Sequence, residues 1–197
     1  MAILLLHQGV YGQTRRICEF LRNELAALGV AADVAALADP PDPSRYDAIA
    51  IGASIRNGKH NPAVLEFVRR HRALFDAKPN AFFSVNLVAR KPEKNTVATN
   101  PYLKAFLDRS PWQPTRVAVF AGNLDYRRYG AMDRNIIRFI MWITKGPTDP
   151  HTKIEYTNWD EVRRFAGELA QLGAPGAKAV VGAAVPRAVP AVPAHAA

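Results

Sequence analysis

Short apolar runs alternate with longer segments of helical periodicity along most of this 197-residue chain. A run of about four to eight apolar residues is typical of a strand that is buried on both faces. Such runs lie at 2–6, 30–37, 47–54, 80–88 and 116–123, with a shorter candidate strand at 153–159. Helices are predicted where apolar residues recur every three or four positions, at 13–28, 61–75, 100–110, 131–146 and 158–173.

This alternation predicts a fold of the α/β class. Strands joined through helices form βαβ units, which place the strands in parallel and cover both faces of the sheet. Five strands in this arrangement match the doubly wound, flavodoxin-like order 2-1-3-4-5. Ligands of such sheets bind beyond the carboxyl ends of the strands. The loops expected there are 7–14, 52–60, 86–99 and 121–130.

The first of these loops, HQGVYGQT at 7–14, suggests a phosphate site. Peptide N–H groups from Gly9 to Thr14 can converge on an anion at the start of a helix, where the helix dipole adds positive charge. Gly12 allows close approach of the backbone, and the Thr14 hydroxyl and Gln13 amide are further donors. Neither G-x-x-x-x-G-K-[ST] nor G-x-G-x-x-G is present, so a purely structural turn is the alternative.

Two later loops have a similar composition. GASIRNGKHN at 52–61 offers Ser54, Asn57 and several backbone donors. NLVARKPEKNT at 86–96 is longer, more polar and more basic than an ordinary connection of about six residues. At one edge of a parallel sheet the three loops form one composite site, whereas a solvated loop is the alternative for 86–96.

The net charge is +9, and the cations are concentrated in one region. Residues 90–145 carry eleven Lys or Arg side chains against four carboxylates. A basic surface of this kind is suited to nucleic acid, anionic lipid or an anionic small substrate. It is also compatible with a generally basic, soluble protein.

Composition excludes several classes of protein. A single cysteine, Cys18, rules out an internal disulfide and a multi-cysteine metal site, so no metal is expected. The apolar stretches are shorter than the ~20 residues of a membrane span, and the N-terminus lacks the basic residues of a secretory signal. We therefore expect one cytoplasmic domain over 1–173 and a disordered Ala/Pro-rich tail at 174–197.

Longer motifs add a family resemblance. The most specific is SVNLVARKPEKNT at 84–96, and the others are GQTR (12–15), IGASIRNG (51–58), EFVRRH (66–71), AGNLDYRRY (121–129), the Asp-Arg pair 133–134 and YTNW (156–159). With these motifs the chain resembles the family of menaquinone-dependent protoporphyrinogen IX dehydrogenases, flavodoxin-like, FMN-binding oxidases of haem biosynthesis. The resemblance spans residue 1 to about 173 with few or no gaps.

The resemblance implies FMN at the strand ends, with its phosphate in loop 8–14 and its isoalloxazine ring between loops 52–58 and 86–91. It also implies a long-chain fold, in which an insert at about 124–152 splits the fifth strand into 116–123 and 153–159. The residues expected to bind the cofactor are Gln8, Gly9, Val10, Tyr11, Gly12, Gln13, Thr14, Ala53, Ser54, Ile55, Arg56, Asn57, Asn86, Leu87, Val88, Ala89 and Arg90.

The resemblance further implies that the flavin carries the redox chemistry at its N5 atom, so no catalytic side chain is predicted. The expected substrate is protoporphyrinogen IX, which loses six hydrogens in three two-electron steps. Electrons are expected to pass to menaquinone or ubiquinone. The two propionates of the substrate are expected to pair with Arg90, Lys91, Arg127 and Arg128, although a solvated basic surface is the alternative for Arg127 and Arg128.

The phosphate loop departs from the usual flavodoxin pattern. Gln8 and Gly9 stand where hydroxyl residues are usual, and Tyr11 stands where an acidic residue is common. Backbone amides with Gln8, Gln13 and Thr14 compensate in part, because one charge-assisted hydrogen bond contributes about 1.5–3 kcal/mol. FMN is therefore expected to bind, with an affinity lowered roughly ten- to a hundredfold.

The helix predicted at 131–146 is apolar around most of its circumference, and Arg134, Arg138 and Lys145 supply a cationic side. That composition is typical of a helix in a membrane interface, and it predicts peripheral binding to the cytoplasmic face of the inner membrane. Packing of this helix on the sheet is the alternative.

Three other functions remain to be distinguished. A flavodoxin-like electron carrier has no substrate of its own, but such carriers are typically acidic and this chain is basic. An NAD(P)H:quinone reductase on the same fold differs because NADPH reduces its flavin. Nucleic-acid binding fits the net charge, but no recognition helix or stacking aromatic pair accompanies it, so no nucleic-acid partner is expected.

Overall fold

Four apolar side chains in succession, Ile3 to Leu6, fill the centre of the first strand, and none of them is exposed. Successive strand residues point to opposite faces of a sheet, so an uninterrupted apolar run requires cover on both faces. Ile3 and Leu5 belong to one core and Leu4 and Leu6 to another. The run therefore fixes three layers of helices, sheet and helices.

The computed structural model describes residues 1–144 and 146–172. Its strands are β1 (Ala2–Gln8), β2 (Ala31–Ala36), β3 (Ala48–Arg56), β4 (Lys59–His60), β5 (Asn80–Asn86), β6 (Arg116–Ala121), β7 (Asn123–Asp125) and β8 (Lys153–Glu155). Its α-helices are α1 (Gln13–Ala27), α2 (Ala63–Arg70), α3 (Arg72–Ala77), α4 (Pro101–Arg109), α5 (Ala131–Ile143) and α6 (Trp159–Ala170).

The main sheet has the order β2-β1-β3-β5-β6, and all of these neighbours are parallel. β4 is a two-residue strand that pairs antiparallel with the end of β3. Counted without β4, the five parallel strands have the order 2-1-3-4-5. The predicted flavodoxin-like fold class is confirmed.

Each face of the sheet has its own core. Leu21 of α1 and Phe165 of α6 are buried on one face, and Phe67 of α2 and Phe106 of α4 are buried on the other. One close contact joins the adjacent strands β3 and β5: a Cβ at Gly52 would come within 2.1 Å of the ring of its paired neighbour Phe83. Only glycine leaves room for that ring at the centre of the sheet.

The helix boundaries follow the capping signals in the sequence. Asn100 accepts a hydrogen bond from the Leu103 N–H at 3.1 Å, and Pro101 is the first residue of α4. Asn158 caps α6 in the same way, with the Asp160 N–H as donor. The helix predicted at 61–75 is instead divided at His71, where φ is −108° and ψ is 25°, into α2 and α3.

The insert departs from its prediction at the returning segment. The segment 153–159 was expected to continue the fifth parallel strand, but β8 pairs antiparallel with β7 in a separate two-stranded ribbon. In β8 a half-buried Ile154 lies between exposed Lys153 and Glu155. That pattern does not suit a strand buried on both faces. The returning strand β8 instead pairs with β7, the strand that follows β6 at the start of the insert.

No helix within the described ranges is long and apolar enough to cross a bilayer. The tail predicted to be disordered, 174–197, lies outside the described residues.

Candidate functional site

The carboxyl ends of neighbouring strands meet at one edge of the sheet. β1 ends beside Ala53 of β3, and Asn86 of β5 lies beside Ala121 of β6. An open cleft at this edge contains about 1070 Å³ of empty space, counting its mouth. The cleft lies at the edge where parallel α/β sheets bind their ligands.

The opening loop presents an unsatisfied hydroxyl to this cleft. Thr14 lies in the first turn of α1 and is 1% exposed, and its Oγ1 has no hydrogen-bond partner among the described residues. A Cβ at Gly9 would come within 2.7 Å of this oxygen, and Gly12 has a φ of +85°, which favours glycine. Because buried polar groups are normally paired, the arrangement is suited to a polar ligand at the start of α1.

The Gln13 amide contributes to the fold of the loop. Its nitrogen donates to Glu155 Oε1 at 2.9 Å and to Thr157 Oγ1 at 2.8 Å. Thr157 in turn donates to the Ala121 carbonyl at 2.6 Å. Both amide hydrogens are therefore used by the protein, and Gln13 ties the phosphate-loop candidate to the end of β6 and to the ribbon.

The second loop is a tight hairpin. Arg56 of β3 pairs with Lys59 of β4, so Asn57 and Gly58 form a two-residue turn in which both φ angles are positive. Asn-Gly is the preferred sequence for such a turn. The sequence therefore contained a hairpin signal that the loop prediction overlooked, and the turn holds Arg56 and Asn57 at the rim of the cleft.

The third loop rests on a buried polar network. Asn86 Oδ1 accepts from the Ala89 N–H and from the Asn100 side chain, both at 3.1 Å, and this holds the turn Leu87–Arg90. Asn86 Nδ2 donates to Ser84 Oγ at 3.1 Å, and Ser84 Oγ lies 2.9 Å from His60 Nε2. Since each of these polar groups has a partner, the floor of the cleft is rigid.

Burial lowers the pKa of His60 in this network to about 4. The His60 ring packs edge-on against the rings of Phe82 and Phe106, which stack on each other. An apolar environment of this kind disfavours the charged imidazolium, so His60 is neutral at pH 7.

The insert helix α5 forms one side of the cleft, held at both ends by polar contacts. Near its start, Asp133 accepts a hydrogen bond from the Tyr11 hydroxyl and from Arg56 NH2, the latter at 2.9 Å. Burial and the bond to Asp133 raise the pKa of Tyr11 to about 12. Just after α5, Thr144 Oγ1 accepts from Arg90 NH2 at 2.7 Å.

Twelve of the predicted cofactor residues lie together on the cleft wall: Val10, Tyr11, Gln13, Thr14, Ser54, Ile55, Arg56, Asn57, Asn86, Leu87, Val88 and Arg90. Five others are outside the lining: Gln8, Gly9, Gly12, Ala53 and Ala89. Among the predicted substrate cations Arg90 lines the cleft, whereas Lys91, Arg127 and Arg128 do not. Arg128 NH2 instead lies 3.8 Å from the position of a Cβ at Gly12.

Sequence reasoning missed the contribution of the insert and its flanks to the cleft wall. The residues concerned are Gly122, Asn123, Tyr129, Asp133, Ile136, Ile137, Ile140 and Met141, and the wall also includes Gly58, Val85 and Tyr102 from other elements, which were not named as site residues. The apolar positions of α5 were visible as a helical pattern. Nothing in the pattern indicated that one side of this helix faces the strand ends.

Comparison with known proteins identifies the family. A profile for the flavodoxin domain matches residues 4–151. The protoporphyrinogen IX dehydrogenase [quinone] of Escherichia coli (strain K12) is 47% identical over 174 residues, which cover 87% of this chain and 96% of that protein. This chain belongs to the protoporphyrinogen IX dehydrogenase [quinone] family.

A second relative in this family, from Leishmania major, is 43% identical over 86% of this chain and 74% of its own length. A short-chain flavodoxin associated with a non-canonical PDU bacterial microcompartment shares the fold. It has a TM-score of 0.50 at 9% identity and covers 88% of this chain and 99% of its own. At this low identity, the structural likeness supports the assignment of the fold and nothing more.

The neutral state of His60 predicts a pH dependence of stability for this family member. The unfolded state, with a histidine pKa near 6.5, binds a proton more readily than the folded state, with a pKa of about 4. The contribution of His60 to the free energy of unfolding should therefore be at its maximum above pH 6.5. It should fall by on the order of 3 kcal/mol as the pH drops to about 4. Urea denaturation at a series of pH values measures the decline.

His60→Gln should remove most of this decline, because glutamine does not titrate. His151→Gln, at an exposed position, is the matched control and should keep it. An unchanged slope in His60→Gln between pH 6.5 and 4 would contradict the assignment.

Proposed function

We propose that this protein binds FMN and oxidises protoporphyrinogen IX to protoporphyrin IX in haem biosynthesis, passing the electrons to a respiratory quinone. The observation that carries the proposal is the 47% identity to a named protoporphyrinogen IX dehydrogenase [quinone], over 96% of that protein. The flavodoxin-domain match over residues 4–151 includes the opening loop, the hairpin, the third loop and α5.

The residues at the start of α1 fit the phosphate of FMN. Thr14 Oγ1 is a buried donor that lacks a partner among the described residues, and the N-terminal N–H groups of α1 add partial positive charge. Gly9 leaves the space above this hydroxyl open, because any larger side chain would fill it. When bound, FMN supplies the two-electron redox chemistry.

The remaining walls suit an aromatic ring system. Ile55 and Leu87 come from opposite loops, and Ile137 and Met141 come from α5. We assign the ring to the space between loops 52–58 and 86–91, as the family resemblance implies. These apolar side chains exclude water from the site, which strengthens polar interactions inside it.

The charged rim suits a substrate with two propionates. Arg90 reaches the cleft, and Lys91, Arg127 and Arg128 extend the positive potential outside it. We propose that these four cations attract and orient the substrate, with Arg90 in the closest contact. Menaquinone and ubiquinone are both long apolar quinones, and the proposed acceptor belongs to this class.

Thr14→Val tests the phosphate assignment. Valine has the shape of threonine without the hydroxyl, so FMN should bind roughly ten- to a hundredfold more weakly, as expected for one lost hydrogen bond to a charged group. Riboflavin, which lacks the phosphate, should bind equally to both proteins. Quenching of flavin fluorescence measures both affinities.

Thr14→Ser is the control for this pair, because it retains the hydroxyl and should stay close to wild type. The melting temperature of the cofactor-free protein should not fall in Thr14→Val, since the hydroxyl has no partner to lose. Equal FMN affinities of the valine and serine variants would overturn the assignment.

The activity itself is tested by reduction of the bound flavin. Protein loaded with FMN and kept anaerobic should lose its flavin absorbance on addition of protoporphyrinogen IX and regain it on addition of a quinone. NADPH should leave the absorbance unchanged. Bleaching by NADPH would instead indicate an NAD(P)H:quinone reductase, and bleaching by neither compound would indicate an electron carrier.

We further propose peripheral binding to the cytoplasmic face of the inner membrane through the outer side of α5. Met132, Phe139 and Trp142 are 77%, 59% and 70% exposed, an unusual concentration of large apolar side chains on one helix. Arg134 and Arg138 lie on the same helix. An apolar surface next to cations is suited to an interface with anionic lipid, where a long-chain quinone is dissolved.

Replacement of Phe139 and Trp142 together by Glu should lower binding to vesicles containing phosphatidylglycerol at least tenfold, because two large side chains no longer enter the interface. Vesicle flotation measures the bound fraction. Val97→Glu, an exposed apolar position outside α5, is the matched control and should bind as the wild type does. Equal binding of the double variant and the control would contradict the membrane role.

A further inference from the structure

Two guanidinium groups line the cleft within the described part of the chain, those of Arg56 and Arg90. Arg90 is held at both terminal nitrogens: NH1 donates to the Leu87 carbonyl at 2.9 Å and NH2 to Thr144 Oγ1 at 2.7 Å. Arg56 makes one side-chain hydrogen bond among the described residues, from NH2 to Asp133 Oδ2 at 2.9 Å. Most of the Arg56 donors are therefore free at the cleft surface.

Arg56 is nevertheless fixed in position. It lies at the end of β3, one residue before the Asn57-Gly58 turn, so its backbone is held by the hairpin. Its partner Asp133 has a side chain only 12% exposed, which also accepts from the Tyr11 hydroxyl. We call Tyr11, Arg56 and Asp133 the Asp133 clasp.

The clasp orients a cation without burying it. The Arg56 side chain is 55% exposed even though its ion pair is formed. A guanidinium group presents a planar set of five N–H donors that matches a carboxylate in a two-point contact. One donor held by Asp133 leaves the others in a defined direction, which reduces the entropy lost on binding a second carboxylate.

We propose that Arg56 recognises a carboxylate of the substrate and that Asp133 holds the Arg56 guanidinium in position for it. The inference rests on the proposed function, whose substrate carries two propionates. It adds Arg56 to the residues expected to contact them.

Position separates Arg56 from the other candidate cations. Lys91, Arg127 and Arg128 do not line the cleft, so they act on an approaching substrate at longer range. Arg56 and Arg90 come from the two loops between which the flavin ring is assigned. A substrate lying in the cleft therefore meets one guanidinium on each side.

The test compares a dicarboxylate with its neutral analogue. FMN-loaded wild type and Arg56→Gln are assayed with protoporphyrinogen IX and with its dimethyl ester. The ratio of the two KM values, acid over ester, should rise roughly ten- to a hundredfold in Arg56→Gln, as expected for loss of a charge-assisted contact. Arg56→Lys, which keeps the charge but not the planar donor set, should restore part of the difference.

Asp133→Asn distinguishes recognition from a merely structural role. Asparagine retains an oxygen acceptor for Arg56 and Tyr11 but removes the ion pair that holds α5. The acid-to-ester ratio should rise in this variant by no more than about threefold, less than in Arg56→Gln, because the guanidinium keeps an acceptor but loses the ion pair that orients it. An unchanged ratio would overturn the positioning role of Asp133, and an equal rise of the KM values for acid and ester would assign the effect to the position of α5 and contradict the proposal.

A binding measurement without turnover completes the test. Oxidised, FMN-loaded protein is titrated with protoporphyrin IX and with its dimethyl ester, and porphyrin fluorescence gives the two dissociation constants. Their ratio should change in Arg56→Gln in the same direction as the KM ratio. An unchanged ratio would overturn the role of Arg56 while leaving the proposed oxidation intact, whereas failure of protoporphyrinogen IX to reduce wild-type flavin would overturn that function.

Discussion

Parallel pairing of β1, β3 and β5 is the constraint that creates the cleft. In a parallel sheet every strand ends at the same edge, so the residues that follow each strand converge there without any direct interaction between the loops. The pairing is maintained by burial on both faces, because Ile3, Leu5, Leu4 and Leu6 alternate between two separate cores. The location of the site is thus a consequence of where apolar side chains can be buried.

The insert adds a second constraint of a different kind. Met141 of α5 is buried against Leu124, Tyr126 and Tyr129, so apolar packing holds the inner side of the helix. Polar contacts add to this packing: Asp133 binds Tyr11 and Arg56 near the start of the helix, and Thr144 binds Arg90 just beyond its end. The outer apolar surface of α5 takes no part in these contacts and remains exposed.

The sequence predicts the parts of this molecule that depend on regular periodicity. Buried strands such as Ile3–Leu6 and capped helices such as α4 follow from local patterns, and the strand order follows from the handedness and connectivity of βαβ units. The three loops could be assigned to one edge for the same reason. The pairing of β8 with β7 could not, because three residues with one apolar position carry too little information to choose a partner.

Contacts across long sequence separations were also beyond prediction. Asp133 and Tyr11 are 122 positions apart, and no pattern along the chain links them. The same holds for Gln13, whose amide appeared to be a free donor until its partners Glu155 and Thr157 were located. The distinction between polar groups that serve the fold and polar groups that await a ligand appears only in three dimensions.

Thr14 and Gln13 illustrate that distinction in adjacent residues. Both are buried at the start of α1, but the Gln13 amide nitrogen has partners for both of its hydrogens, whereas the Thr14 hydroxyl has no partner among the described residues. An unpaired buried hydroxyl costs about 1–3 kcal/mol, a sizeable part of the stability of a domain. Under the proposed assignment, a bound phosphate removes that cost and further stabilises the folded state by mass action, which links binding of the cofactor to stability of the opening loop at this one oxygen.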